Sequence, residues 1–297
     1  MLADTVNSWV YYCNSVFVFL FAVPFFYIVL FKTPPSIRLY RNTILSLTTW
    51  YCVAAGAFGI LLQPIHTALS NKSCAKFAGI ASLLGGSFEV AALFMATISF
   101  PNVMVATSIC FIYRYVQIRG KSVLLTSNGG ALMAVVLHLL MTIFGGCVAY
   151  VVVTFAEIVS IDGYLYLCFG QSNYSAMQKV AVVLVVVFGS VNAVSTLFAL
   201  LTIKVLRSQK ALMSKQTYRL HLLLTLNLII VLMLPLIFAV TPSLIGLVMI
   251  YRRSHSIYLW ISLAGHGPFL DLILTFVATI GFIRPYRDEV KRIFHKH

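Results

Sequence analysis

Charged residues are scarce in this sequence: 9% of 297 residues, with seven acids against 21 lysines and arginines. Soluble globular domains carry about a quarter charged residues, so an ordinary soluble domain is excluded. No polar block is long enough to build a separate core. The net charge of +14 also lacks the single stripe that a nucleic-acid surface would need; the cations sit in gaps between apolar runs. Phosphate loops and nucleophile elbows are absent. Inside the apolar runs only His138, His266 and Asp271 could contribute to a metal cluster, and their spacing fits no ligand motif. The last long run, Ile257–Ile283, contains no lysine, which excludes a retinal Schiff base. No metal, no cofactor and no enzymatic activity are expected.

What is present is apolar: 61% of the residues, with a mean hydropathy of +0.97. Seven runs approach or exceed the roughly 20 residues that cross a bilayer. They are Trp9–Phe31, Thr43–Gln63, Gly85–Tyr113, Ala131–Phe155, Val180–Ile203, His221–Val240 and Ile257–Ile283. In lipid every backbone polar group must be satisfied within the segment, so each run is expected to be a helix. The fold class expected is an all-α, seven-helix membrane bundle forming one domain over residues 1–297. The stretch from Phe77 to Gly86 is apolar but broken by Gly85-Gly86, and the stretch after Pro242 either extends the sixth helix or forms an outer loop.

Basic loops set the orientation. The first, third and fifth gaps and the tail hold sixteen lysines and arginines; the other gaps hold five. The basic side is expected to be cytoplasmic, with the N-terminus outside. Both Asn-x-Ser sequons, at Asn71 and Asn173, fall in gaps assigned outside, where a glycan is possible. Cys13, Cys52, Cys110 and Cys147 lie within runs and read as small apolar residues. Cys74 and Cys168 alone lie in outer loops, so a disulfide between them is expected, tying the second outer loop to the start of the third helix. Residues 1–8 lack the basic start of a cleavable signal, so the first run is expected to insert as a signal anchor.

At the inner end of the third run stands Tyr113-Arg114-Tyr115. An interfacial anchor, with aromatic rings and a snorkelling arginine, is the plain reading of such a tripeptide. The other reading is the coupling arginine of a G-protein-coupled receptor, which seven helices, an outside N-terminus and an outer cysteine pair favour. Four stretches, one of them containing the tripeptide, extend the case. "VLFKTPPSIRLYRNTIL" (Val29–Leu45), "FIYRY" (Phe111–Tyr115), "MSKQTYRLHLLLTLNLIIVLMLPL" (Met213–Leu236) and "FIRPYRDEVKRIF" (Phe282–Phe294) resemble, in order, the first inner loop, the third-helix ending, the approach to the sixth helix and the tail of the nematode serpentine chemoreceptors. The resemblance runs from the first helix to the tail and is closest to class delta of the Str superfamily. It implies a multi-pass protein of the plasma membrane, in a sensory cilium, that binds a small molecule or odorant and activates a heterotrimeric G protein. Tyr113 stands where rhodopsin-like receptors have an acid, and the Asn/Asp-Pro of their seventh helix is missing near Thr275-Phe276. A multi-helix transporter or ligand-gated channel is the alternative, though no internal repeat supports it.

Intramembrane carboxylates are costly and mark function by default, and only Glu89 and Asp271 lie within runs. With an outer tail of about eight residues, the ligand has to enter the bundle. The pocket is expected to be mostly apolar, built from Glu89, Leu93, Ala96 and Thr97 of the third helix with Trp260 and His266 of the seventh. Tyr113, Arg114, Tyr115, Arg119 and Lys215 are expected to face the G protein. Pro235 and Asp271 are the expected switch residues, because a proline kink suits a helix that swings. Without an acid beside it, Arg114 is expected to be held by hydroxyl and carbonyl acceptors or by stacking on Tyr115. Gly56, Gly59, Gly145 and Gly146 read as close packing points. Val290, Ile293 and Phe294, spaced i, i+3, i+4, predict a short amphipathic helix after the seventh span.

Overall fold

The computed structural model describes residues 2–34, 38–69, 72–120, 128–161, 163–169, 174–242, 245 and 257–294. Its long helices are α1 (Leu2–Phe31), α2 (Arg38–Gly56), α4 (Gly86–Ile118), α5 (Asn128–Phe155), α6 (Tyr174–Ser208), α7 (Lys215–Pro235) and α8 (Ile257–Phe282). A single turn, α3 (Ala81–Leu84), precedes α4, and α9 (Arg284–Phe294) follows α8. Among the described residues seven helices are long and apolar enough to cross a membrane. Their outward faces carry large apolar side chains, including Phe17, Leu20, Leu132, Val135, Val182 and Val186. That surface suits hydrocarbon and would be unstable in water.

Packing places α4 at the centre, against α2, α5, α6 and α7. More than half of its apolar window is buried, against 6% for the fourth span and 11% for the fifth. Small residues permit the approach: a Cβ on Gly145 of α5 would come within 2.7 Å of the Ile98 Cα. Gly59 is likewise pressed against Ser15 and Phe269, whereas Gly146 faces open space and Gly56 meets only Phe19 at ordinary contact distance.

Some boundaries differ from the hydropathy reading. Helix α6 continues about one and a half turns beyond Val180 and Ile203 at both ends, and α7 begins at Lys215, not His221. The cause at α7 is a cap: Ser214 is extended, and its Oγ accepts the Thr217 N–H at 3.2 Å. Pro235 cannot donate to the helix ladder, and the chain continues as a π-helical turn, Leu236–Val240. A second π turn, Ala57–Leu62, ends α2. Most of the stretch after Pro242 lies outside the described residues, as do Asn71 and Asn173.

One end of the bundle carries a feature absent from the hydropathy reading, a four-stranded antiparallel sheet in the order β1-β2-β4-β3. Strands β1 (Pro64–Leu69) and β2 (Lys72–Phe77) link α2 to α3; β3 (Glu157–Ile161) and β4 (Tyr164–Phe169) link α5 to α6. Cys74 and Cys168 face each other in the β2–β4 ladder, and their sulfurs are bonded at 2.05 Å. The expected disulfide therefore exists, but Cys74 anchors it on a strand of the first loop and not at the start of α4. Between Cys74 and Gly85-Gly86 the chain runs through the rest of β2 and α3. Leu165 and Leu167 of β4 pack with Ala57, Leu62, Phe77 and Ala92 over that end of the bundle.

At the opposite, basic end, α9 lies against the bundle. Its Tyr286 is fully buried and Val290 packs on the main core, while Lys291 and Arg292 are exposed. The short helix expected after the seventh span is present, with Val290 on its apolar face; the side chains of Ile293 and Phe294 lie outside the described residues. Pro285 lies in its first turn, where a missing N–H has no partner to lose.

Candidate functional site

Consecutive helical residues point about 100° apart, and at the end of α4 this sends three neighbours to three helices. Tyr113 donates its hydroxyl to the Gly130 carbonyl of α5 at 2.8 Å. Arg114 turns inward and is 2% exposed. Tyr115 sets its ring edge-on to Phe198 of α6, with centroids 5.6 Å apart, and carries Arg119 on its face at 5.2 Å.

Among the described residues the Arg114 guanidinium has no carboxylate partner. Its Nη2 donates to the His221 carbonyl of α7 at 2.7 Å, Nη1 to Gln117 Oε1 at 2.9 Å, and Nε to Thr225 Oγ1 at 3.4 Å. Hydroxyl and carbonyl acceptors hold it, and Tyr115 does not. The acids of α9 are engaged elsewhere: Glu289 pairs with Lys32 at 3.2 Å and Arg292 at 2.7 Å, and Asp288 pairs with Arg284 at 3.5 Å. A buried, permanently charged fork spanning α4 and α7 through neutral acceptors is a contact that a moving α7 would break.

The two expected switch residues line one small cavity. Asp271 is 1% exposed; its Oδ2 accepts the Tyr51 hydroxyl at 2.7 Å, and its Oδ1 lies 3.5 Å from Thr275 Oγ1. Beside it a cavity of about 20 Å³ is bounded by Tyr51, Phe100, Met104, Pro235, Val240 and Pro268, among others. That is about the space one water occupies. Pro235 of α7 and Pro268 of α8 thus meet beside the Asp271–Tyr51 bond, which ties α8 to α2.

Sequence reasoning missed Asn227. Its Nδ2 donates to the Tyr40 hydroxyl at 2.7 Å and to Thr279 Oγ1 at 3.2 Å, joining α7, α2 and α8. Its Oδ1 and the His221 Nδ1 are buried without a hydrogen-bond partner among the described residues. The signal was available: a lone amide inside the apolar run Leu222–Leu234 has to find partners in the bundle.

The expected ligand pocket is divided. Glu89, Leu93 and Ala96 come together beneath β4, where Glu89 is 2% exposed and its Oε1 lies 3.4 Å from the Leu165 N–H. Thr97 bonds back to the Leu93 and Phe94 carbonyls at 2.9 and 3.0 Å, and its own carbonyl lies against Gly145 of α5. His266 instead faces α1: its ring lies over Tyr11 at 4.2 Å and its Nε2 is 2.9 Å from Asn7 Oδ1. The side chain of Trp260 lies outside the described residues. Between α1 and the α2 π turn, a further apolar groove of about 520 Å³ is lined by Tyr12, Phe19, Val23 and Ile60, with no charged residue among the described ones. His138 is a packed histidine, stacked on Trp50 and bonded to Asn102 Oδ1 at 2.7 Å.

Seven apolar helices, a disulfide-bonded sheet over one end and a buried arginine bridging two helices at the other define a seven-transmembrane receptor. The family described as serpentine type 7TM GPCR chemoreceptor Srh matches residues 4–296, and the chain belongs to it. It is therefore a multi-pass plasma-membrane protein of a receptor class, not an enzyme class. No curated protein matches the chain.

Proposed function

We propose that this receptor binds a small extracellular molecule within its helical bundle and in response activates a heterotrimeric G protein. The sheet end faces outside and the basic end the cytoplasm, in keeping with the placement of lysine and arginine. Residues 1–297 act as one receptor domain. Glu89, Leu93, Ala96, Thr97, Trp260 and His266 remain the ligand-facing set. The division between the β4 side and the α1 side makes Glu89, Leu93 and Ala96 its favoured part. Tyr113, Arg114, Tyr115, Arg119 and Lys215 present the coupling surface. The observation that carries this reading is the Arg114 bond to the His221 carbonyl. A ligand favouring the form in which α7 has swung about Pro235 would free the guanidinium for the G protein, shifting a two-state bundle.

The test is a panel of volatile and water-soluble small molecules applied to cells expressing the receptor, read out as G-protein activation. Activation by at least one compound in wild-type cells, lost in Arg114→Ala at equal surface level, is the expected result. Ligand-evoked currents that persist when G proteins are blocked would instead establish the channel reading.

A further inference from the structure

At the basic end, a groove of about 1110 Å³ runs between the start of α7 and the α8–α9 junction. Lys215 and Arg219 line it from α7, and Arg284, Arg287 and Lys291 from α9. Among the described residues Asp288 is the one acid in the lining, and it pairs with Arg284 at 3.5 Å. Basic loops alone would explain cations at this level of the membrane. They do not explain the rest of the lining, which turns apolar toward the spans: Leu220 and, a turn beyond Arg219, Leu223 on α7, with Gly281 and Phe282 at the end of α8. The groove is thus cationic at the membrane surface and apolar toward the hydrocarbon. Its α9 wall is held in place, since Lys32 pairs with Glu289 and Thr33 meets the buried Tyr286 hydroxyl at 2.9 Å.

We infer that this groove binds an anionic phospholipid with a polyphosphorylated inositol headgroup. Cations converging from two helices suit several phosphates at once, arginine forks meeting phosphate oxygens in pairs. Clusters of about four to eight lysines and arginines just cytoplasmic of a span are the pattern that recognises such headgroups. The apolar back wall accommodates the start of an acyl chain, which a soluble phosphate or an acidic peptide would leave unmatched. Occupancy would bridge α7 to α9, the two elements that a swing of α7 separates. The site thereby gives the lipid a hold on the resting form. The inference depends on the proposed sidedness only for which leaflet supplies the lipid.

The test uses the full-length receptor in phosphatidylcholine nanodiscs, where both faces are accessible, so it fails or succeeds independently of G-protein coupling. Phosphatidylinositol bisphosphate labelled on an acyl chain is titrated by fluorescence. Saturable binding is expected, well above that of phosphatidylserine at equal total charge. Arg219→Gln with Arg287→Gln should weaken it about 25-fold, at about fivefold per cation. A second variant keeps every charge: a Cβ on Gly281 would meet no atom within 4 Å, so Gly281→Leu fills the apolar wall without disturbing the fold and should also weaken binding. Equal binding by phosphatidylserine would overturn the inference in favour of diffuse attraction. Equally tight binding of soluble inositol trisphosphate, or competition only by an acidic peptide, would overturn the lipid. Unchanged binding in Gly281→Leu would remove the groove.

Discussion

The sheet end of the bundle is closed by a covalent bond and a strand ladder, whereas the basic end is closed by hydrogen bonds and ion pairs that can exchange partners. At the sheet end Cys74–Cys168 joins two loops 94 residues apart, and Leu165 and Leu167 seal them onto α2 and α4. At the basic end the contacts across helices include Arg114 to His221, Asn227 to Tyr40 and Lys32 to Glu289. The contrast teaches where motion is cheap. Breaking the first set requires bond chemistry or exposure of apolar surface, while the second set needs only replacement acceptors. A G protein could supply those. On the proposed function, the receptor would be rigid where its ligand enters and labile where its partner docks, with α4 and α7 coupling the two ends.

Removing the staple should have the largest effect. Closing a loop of this length is worth about 2–5 kcal/mol. Cys74→Ser and Cys168→Ser are each expected to lower the melting temperature of the purified receptor strongly and to reduce its surface level, and the double variant should be no worse than either single one. Additive losses would mean that the two cysteines stabilise the sheet separately, and the sheet end would then be no more locked than the other.

Next comes Arg114. Arg114→Ala should abolish coupling while leaving surface level and ligand binding largely intact, and Arg114→Lys should also impair coupling, because an ammonium loses the planar fork. Both are measured as G-protein activation at matched expression. Normal signalling by the alanine variant would reduce Tyr113-Arg114-Tyr115 to a membrane anchor and erase the functional half of the comparison.

The two ends were also unequally legible in the sequence. Seven spans and α9 could be read because a bilayer imposes a local requirement, enough consecutive apolar residues or an i, i+3, i+4 stripe. The fan of Tyr113, Arg114 and Tyr115 follows from helical geometry once α4 is central. The sheet was overlooked although Asp162-Gly163 is a hairpin signal: Ile161 pairs with Tyr164, leaving two residues between them, and Gly163 has φ +78°. The alternating stretch Tyr164–Phe169 beside it is strand-like. The pocket was least legible. A helix apolar on every side does not encode which face turns inward, so His266 turned toward α1 and away from Glu89. Asn227 was passed over for the opposite reason, as one amide in a long apolar run.

Of intermediate size is the Tyr51 bond to Asp271. Tyr51→Phe leaves a buried carboxylate oxygen without its donor, at a cost of about 1–3 kcal/mol. The purified variant should melt at a lower temperature, and Asp271→Asn in the Tyr51→Phe background should cost less than Asp271→Asn alone, because the two residues share one interaction. Fully additive losses would detach the carboxylate from Tyr51 and leave the Asn227 bonds to Tyr40 and Thr279 as the polar link between α2 and α8.

The smallest effects belong to the attachment of α9, and two of its bonds separate by their response to solvent. Lys32 and Glu289 are part-exposed, with side-chain exposures of 29% and 13%, so their pair is worth at most about 1 kcal/mol and is screened by salt. A cycle of Lys32→Met and Glu289→Gln should give a coupling that fades as salt is raised. Tyr286 differs in kind. Its hydroxyl is buried against Thr33, and burial raises its phenol above the ordinary tyrosine value. A raised folded-state pKa contributes stability that is fully present below the unfolded value of about 10 and is lost only as pH climbs past it. The melting difference between wild type and Tyr286→Phe should therefore be flat from pH 6 to about 9 and insensitive to salt. Hydrogen exchange of the α9 amides should accelerate more in Tyr286→Phe than in Lys32→Met. If the ranking reverses, the ion pair and not the buried hydroxyl holds α9, and the basic end would loosen with ionic strength in a way the sheet end does not.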